Sequence, residues 1–152
     1  MRVRLAFAQL VVLVVFPAAT NGEDVVQHYG ISADYKTYPQ ATPKETLASL
    51  LKAVEDKHLD YVLAHLADPH WVEKRVKDLG GKFEDLVKEC GETKLDPAAV
   101  KQLRRFLQDG EWKVQEKTAE VVLKDVNDRS VRLYRIDDRW FMENGYRREK
   151  GK

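Results

Sequence analysis

The stretch from Thr42 to Pro69, TPKETLASLLKAVEDKHLDYVLAHLADP, constrains what this chain can fold into more than any other. Thr42 can accept from the backbone N–H three residues on, Pro43 stands at the first helical position where a missing N–H costs nothing, and Glu45 completes a capping box. Apolar residues recur at Leu47, Leu50, Leu51 and Val54, on one face of a helix. The run Glu55-Asp56-Lys57-His58 interrupts the pattern, which resumes at Leu59, Val62, Leu63 and Leu66. Asp68-Pro69 closes the second helix, because a residue before proline is pushed out of the helical region. The result is a helical hairpin whose apolar seam must be buried against a partner.

That partner is expected at the other end of the chain. From Glu111 to Asn144 the period changes from helical to alternating, with β-rich runs at Glu111 to Thr118, Ala119 to Lys124, Ser130 to Asp137 and Arg139 to Glu143. Polar clusters at 125–129 and at Asp137-Asp138 read as turns, and strands joined so shortly must run antiparallel. Between hairpin and strands, three more helices are expected. Trp71, Val72, Val76 and Leu79 mark one that ends at Gly80-Gly81; Phe83, Leu86, Val87 and Cys90 mark a second. Asp96 and Pro97 open a third through Val100, Leu103, Phe106 and Leu107. The fold class is therefore α+β, with a helical hairpin and further short helices packed on a C-terminal antiparallel sheet of three to four strands.

The first 22 residues read as a cleaved secretory signal. Arg2 and Arg4 form the positive region, Leu5 to Phe16 the apolar region and Pro17 to Gly22 the small-residue region. The apolar run is short for a membrane span, so export to the periplasm or the exterior is expected, without stable membrane insertion after cleavage. Residues 23–41 form an irregular lead or linker, 42–145 a single domain, and 146–152 a basic, disordered tail. Tyr29, Tyr35 and Tyr38 give the lead more aromatic surface than a solvated tether needs, which suggests partial docking.

Charge and cysteine narrow the function classes. The chain has 26 basic and 25 acidic residues, and removing the signal's two arginines leaves a formal charge of minus one. No global field then favours nucleic acid, whose sequence-independent binding depends on many Lys and Arg contacts. The single cysteine, Cys90, has no partner for an internal disulfide, and its helical spacing from Leu86 and Val87 predicts a buried or half-buried position. Packing alone must hold the domain together.

The TPKETLASLLKAVEDKHLDYVLAHLADP opening and an ending of the form DDRWFMEN resemble the nuclear transport factor 2-like superfamily, a cystatin-like cone. The chain looks closest to small exported bacterial members of unknown function. The resemblance spans roughly Thr42 to Asn144. It implies a helical hairpin packed into the concave face of a curved sheet, around a pocket. Family enzymes such as ketosteroid isomerases and polyketide cyclases set an Asp, His or Tyr inside that cone. None of their catalytic motifs matches here residue by residue. The family usually places a strand pair after the second helix, whereas residues 70–110 of this chain read as helical, which implies a smaller sheet and a pocket partly filled by helices.

Candidate chemistry is sparse. Tyr61, His65 and Asp68 share a helical spacing on the second helix, and such groups transfer protons when burial shifts their pKa. The bland alternative has Tyr61 packing at an edge, His65 exposed and Asp68 ending the helix. His58, His65 and His70 lack metal-ligand spacing, so neither a metal nor a cofactor is expected. Trp71, Trp112, Trp140 and Phe141 are the candidate ligand-binding or partner-binding residues. Trp140 and Phe141 alternate on the last strand, so one ring meets the helices and the other is expected to be exposed or covered in a homodimer through the sheet. These features predict a non-enzymatic exported domain that binds a small ligand or a protein partner. The alternatives are a small envelope enzyme, isomerase-like or cyclase-like, using a pocket acid or base, and a structural self-associating module.

Overall fold

A computed structural model of the protein describes residues 25–93 and 96–144. The signal-like residues 1–22 and the basic tail at 146–152 lie outside the described residues. Helix α1 (Pro43–Glu55) starts as its sequence dictates: the Thr42 hydroxyl accepts from Glu45 N–H at 3.2 Å, and the Glu45 carboxylate accepts from Thr42 N–H at 3.0 Å. Leu47, Leu50, Leu51 and Ala53 form its buried face. The chain then reverses through Lys57, whose φ of 63° puts it in the left-handed region.

The second member of the hairpin departs from its expected form. Helix α2 (Leu59–Tyr61) runs directly into a π-helical turn at Val62–Leu66, closed by Ala67 N–H donating to the Val62 carbonyl at 2.8 Å. All five residues of the turn are buried. An ordinary amphipathic helix would leave one face in water, and the wider turn instead directs side chains into separate cores. Leu63 and Ala64 join a cluster with Val72, Val76, Phe83, Leu86 and Cys90, while Val62 and Leu66 pack with Tyr38, Leu50, Ala53 and Tyr61. Ala67 then leaves the helix and bridges Met142 of the last strand.

Three helices follow, where the apolar spacing places them. Asp68 caps α3 (Pro69–Asp78) by accepting from His70 N–H at 2.9 Å and Trp71 N–H at 3.2 Å, so it opens the next helix as well as following the π turn. Gly80 and Gly81, both at φ 88°, end the helix in left-handed conformations that residues with side chains rarely adopt. Helix α4 (Phe83–Thr93) runs past Gly91 and buries Leu86 and Cys90, and an Arg75–Glu89 ion pair links it to α3. Asp96 caps α5 (Pro97–Asp109), which buries Phe106.

Six strands complete the described structure. A small hairpin in the lead, β1 (Gln27–His28) and β2 (Ile31–Ser32), turns on Tyr29 and Gly30 at φ 53° and 77°. The main sheet is an antiparallel meander of β3 (Glu111–Val114), β4 (Thr118–Leu123), β5 (Val126–Ile136) and β6 (Arg139–Met142), in that spatial order. Asp137 and Asp138, at φ 45° and 63°, make the tight turn into β6. The first β-rich run is divided by a turn at 115–117, and β5 begins earlier than expected. Asn127, Asp128 and Arg129 are strand residues with exposed side chains: Leu123 pairs with Val126 across a register shift, so the hairpin extends through a polar stretch that reads as loop. The main core lies between sheet and helices, where Leu47 and Phe106 meet Ala119, Val121, Leu123, Val131, Leu133 and Trp140. Among the described residues no helix is long and apolar enough to cross a membrane.

Candidate binding cleft

The π turn brings Tyr61 and His65 into the interior together. Their rings lie 4.8 Å apart in a row that starts at Tyr38, 4.5 Å from Tyr61, and ends at His28, 5.4 Å from His65. His65 is 1 % exposed, which corrects the expectation of a solvated imidazole. Its Nε2 lies 2.8 Å from the Ile31 carbonyl oxygen, and because a carbonyl only accepts, Nε2 carries the proton. Nδ1 is buried with no hydrogen-bond partner. Burial holds the imidazole pKa below its ordinary value, against the pull of the Ile31 carbonyl, so the ring is neutral at neutral pH.

Tyr61 and Asp68 are equally committed. The Tyr61 hydroxyl accepts from Asp34 N–H at 3.0 Å, and burial pushes its phenol pKa up. Asp68 Oδ1 accepts from the two cap amides and from the Tyr134 hydroxyl at 2.5 Å, while Asp68 N–H donates to Met142 O at 2.9 Å. Burial raises the Tyr134 phenol strongly, and the Asp68 carboxylate adds to the effect. These bonds fasten the lead and the start of α3 to the domain. His58 and His70 are exposed, and among the described residues no group of three or more His, Cys, Asp or Glu is arranged to hold a metal ion.

The lead itself is docked. Gln40 is 3 % exposed, and its Nε2 donates to the carbonyls of His65 at 2.7 Å and Trp140 at 2.9 Å. Trp140 N–H donates back to Gln40 O at 3.2 Å, so the lead covers the outer edge of β6. Trp140 and Phe141 point to opposite faces, yet they are 4 % and 5 % exposed. Trp140 joins the main core, and Phe141 lies against Tyr134 and the Arg139 guanidinium. The exposed ring that pointed to a homodimer through this face is absent. Trp71 packs half-buried on the α3–α4 cluster, and Trp112 sits half-buried on the main core with Lys44 Nζ 6.0 Å from its ring.

Beside these fastened groups lies an open cleft of about 230 Å³. Leu63 and Ala64 of the π turn form its floor with Pro69 and Val72 of α3, and His28, Tyr29 and Glu73 form its lip. Tyr29 is held by stacking on Phe83, with ring centroids 4.3 Å apart and planes 5° from parallel. Glu73 pairs with Lys77 at 2.8 Å, which holds its carboxyl below the usual range. Tyr61, His65, Asp68 and the four aromatic candidates are not among the lining residues, although Leu63, Ala64 and Pro69 are their neighbours in sequence. The signal that could have found the lip was the Tyr29-Gly30 pair, a turn dipeptide with an aromatic at its tip. The chain matches no family model, no curated protein sequence and no solved structure.

Proposed function

We propose that this protein is an exported, non-enzymatic binding domain whose cleft between the lead hairpin and α3 receives one apolar or aromatic group of a small ligand or of a protein partner. The observation that carries this reading is the division of labour around the π turn. Tyr61, His65 and Asp68 fasten the chain, and the cleft beside them has the nearly buried Leu63, Ala64 and Val72 in its floor and His28, Tyr29 and Glu73 at its lip. At about 230 Å³ the cleft falls below the roughly 300–1,000 Å³ of sites that enclose drug-sized ligands, so it suits a single ring or aliphatic side chain. The Arg2, Arg4 and Leu5–Phe16 pattern supports export, and a mature N-terminus near Glu23 would establish it.

The helical hairpin laid on a C-terminal meander supports kinship with the nuclear transport factor 2-like superfamily as a proposal. In place of the strand pair typical of that family stand α3, α4 and α5. The enzyme reading has one observation in its favour, the buried and unpartnered Nδ1 of His65. An NMR screen of the backbone amides and the His65 ring with small aromatic and aliphatic fragments separates the two readings. Shifts clustered at His28, Leu63, Ala64 and Val72, lost on Tyr29→Ala, support the binding cleft. Fragments that leave those amides unmoved, or that instead shift the His65 ring, contradict it.

A further inference from the structure

The two edges of the main sheet are treated differently. On β6, alternate residues turn their backbone groups outward, and the chain itself meets them: Gln40 pairs with both backbone groups of Trp140, and Asp68 N–H with Met142 O. On β3 the parity follows from Gln115 N–H donating to Thr118 O at 2.8 Å, in the same register as the Glu111↔Val122 and Lys113↔Glu120 pairs. Those pairs exchange their hydrogen bonds with β4. The N–H and C=O of Trp112 and Val114 therefore point away from the sheet. Among the described residues no strand meets them. Val114 is 57 % exposed, and Gly110, just before the strand, is already extended at φ −75° and ψ 146°.

We propose that β3 pairs antiparallel with β3 of a second copy, with Trp112 opposite its own symmetry mate, joining two meanders into one eight-stranded sheet. Charge selects both the partner and the register. A lysine on an edge strand ordinarily opposes pairing. With Trp112 on the two-fold axis, however, Glu111 of each copy faces Lys113 of the other, and both lie on the face opposite the main core. Moving the axis to Lys113 sets lysine against lysine, and moving it to Glu111 sets glutamate against glutamate. A half-step places outward backbone groups against inward ones. The chosen register also sets the exposed Val114 opposite Gly110. It makes the backbone groups of Trp112 and Val114 hydrogen-bonded in both copies.

Sedimentation of the purified protein over a concentration series tests the pairing. The wild-type chain is expected to show a concentration-dependent dimer. Lys113→Glu weakens it about tenfold, and Glu111→Lys combined with Lys113→Glu restores it to within about threefold. Both charged side chains are exposed, and so is the 3.1 Å ion pair of Glu111 with Lys124 that the exchange gives up, a contact of the kind that contributes little to stability. Val114→Pro removes an outward amide that β4 does not use, and should abolish the dimer. A chain that is monomeric throughout overturns the proposal. So does a dimer indifferent to either Lys113→Glu or Val114→Pro, or one that the charge exchange fails to restore.

Discussion

The Nε2–H of His65 donates to the carbonyl oxygen of Ile31 at 2.8 Å, and this bond ties the π turn to the hairpin of the lead. The residues are 34 positions apart, and the bond is shielded by the rings of Tyr61 and His28. His65→Ala removes both the donor and a ring that fills interior volume. The expected loss is about 2–4 kcal/mol in urea denaturation. His65→Gln, which keeps a donor at similar reach, should recover part of it.

Burial of the same ring sets a pH dependence, against the opposing pull of the Ile31 carbonyl. The folded-state pKa of His65 lies below its ordinary value of 6.5, so the unfolded chain binds this proton more readily than the folded one. Stability from this group is then fully present above the unfolded value and is lost as pH falls through it towards the folded value. The slope there is up to about 1.4 kcal/mol per pH unit. His28 beside the ring and the Arg139 guanidinium both push in the same direction. Melting curves across this range should show the fall in wild type and a flatter profile in His65→Gln.

Much of this architecture was legible in the sequence. The Thr42–Glu45 box, the Asp96-Pro97 start and the Asp137-Asp138 turn each carry local chemistry that permits one local structure. The π turn was not legible as such, because a 3.6-residue template fits Leu59, Val62, Leu63 and Leu66 well enough to hide an extra residue per turn. One sign of it was present. Val62 to Leu66 is apolar on every side except His65, and a helix apolar all round is a buried one. The cleft was still harder to read, since Tyr29 and Val72 are 43 residues apart and meet only through tertiary packing. The docked lead depends on Gln40, a polar residue whose burial follows from partners 25 and 100 positions away.

Asp68 joins a helix cap to a strand. Asp68→Ala removes the acceptor for His70 and Trp71 N–H and strands the Tyr134 hydroxyl, and is expected to lower stability by about 2–3 kcal/mol. Tyr134→Phe alone should lower it by about 1 kcal/mol. Because the two share one bond, the double variant should lose less than the sum of the singles, which a double-mutant cycle in denaturant measures.

Gly110 is held by close approach. A Cβ there would lie 2.2 Å from Val121 Cγ2 and 2.3 Å from the Phe106 carbonyl oxygen, so helix and strand would have to separate. Gly110→Ala is expected to destabilise by about 3 kcal/mol. A thermal melt against wild type at matched concentration checks it.

Tyr61, His65 and Asp68, in and around the π turn, fasten the lead and the start of α3, and binding in the cleft beside them is what we propose. Long-range proton–nitrogen NMR of the His65 ring as a function of pH tests it most directly. The ring is expected to be neutral and protonated at Nε2, with a midpoint below 6.5 that fragments occupying the cleft leave unmoved. A proton on Nδ1, a midpoint at or above 6.5, or a ring that titrates with a bound fragment would contradict it.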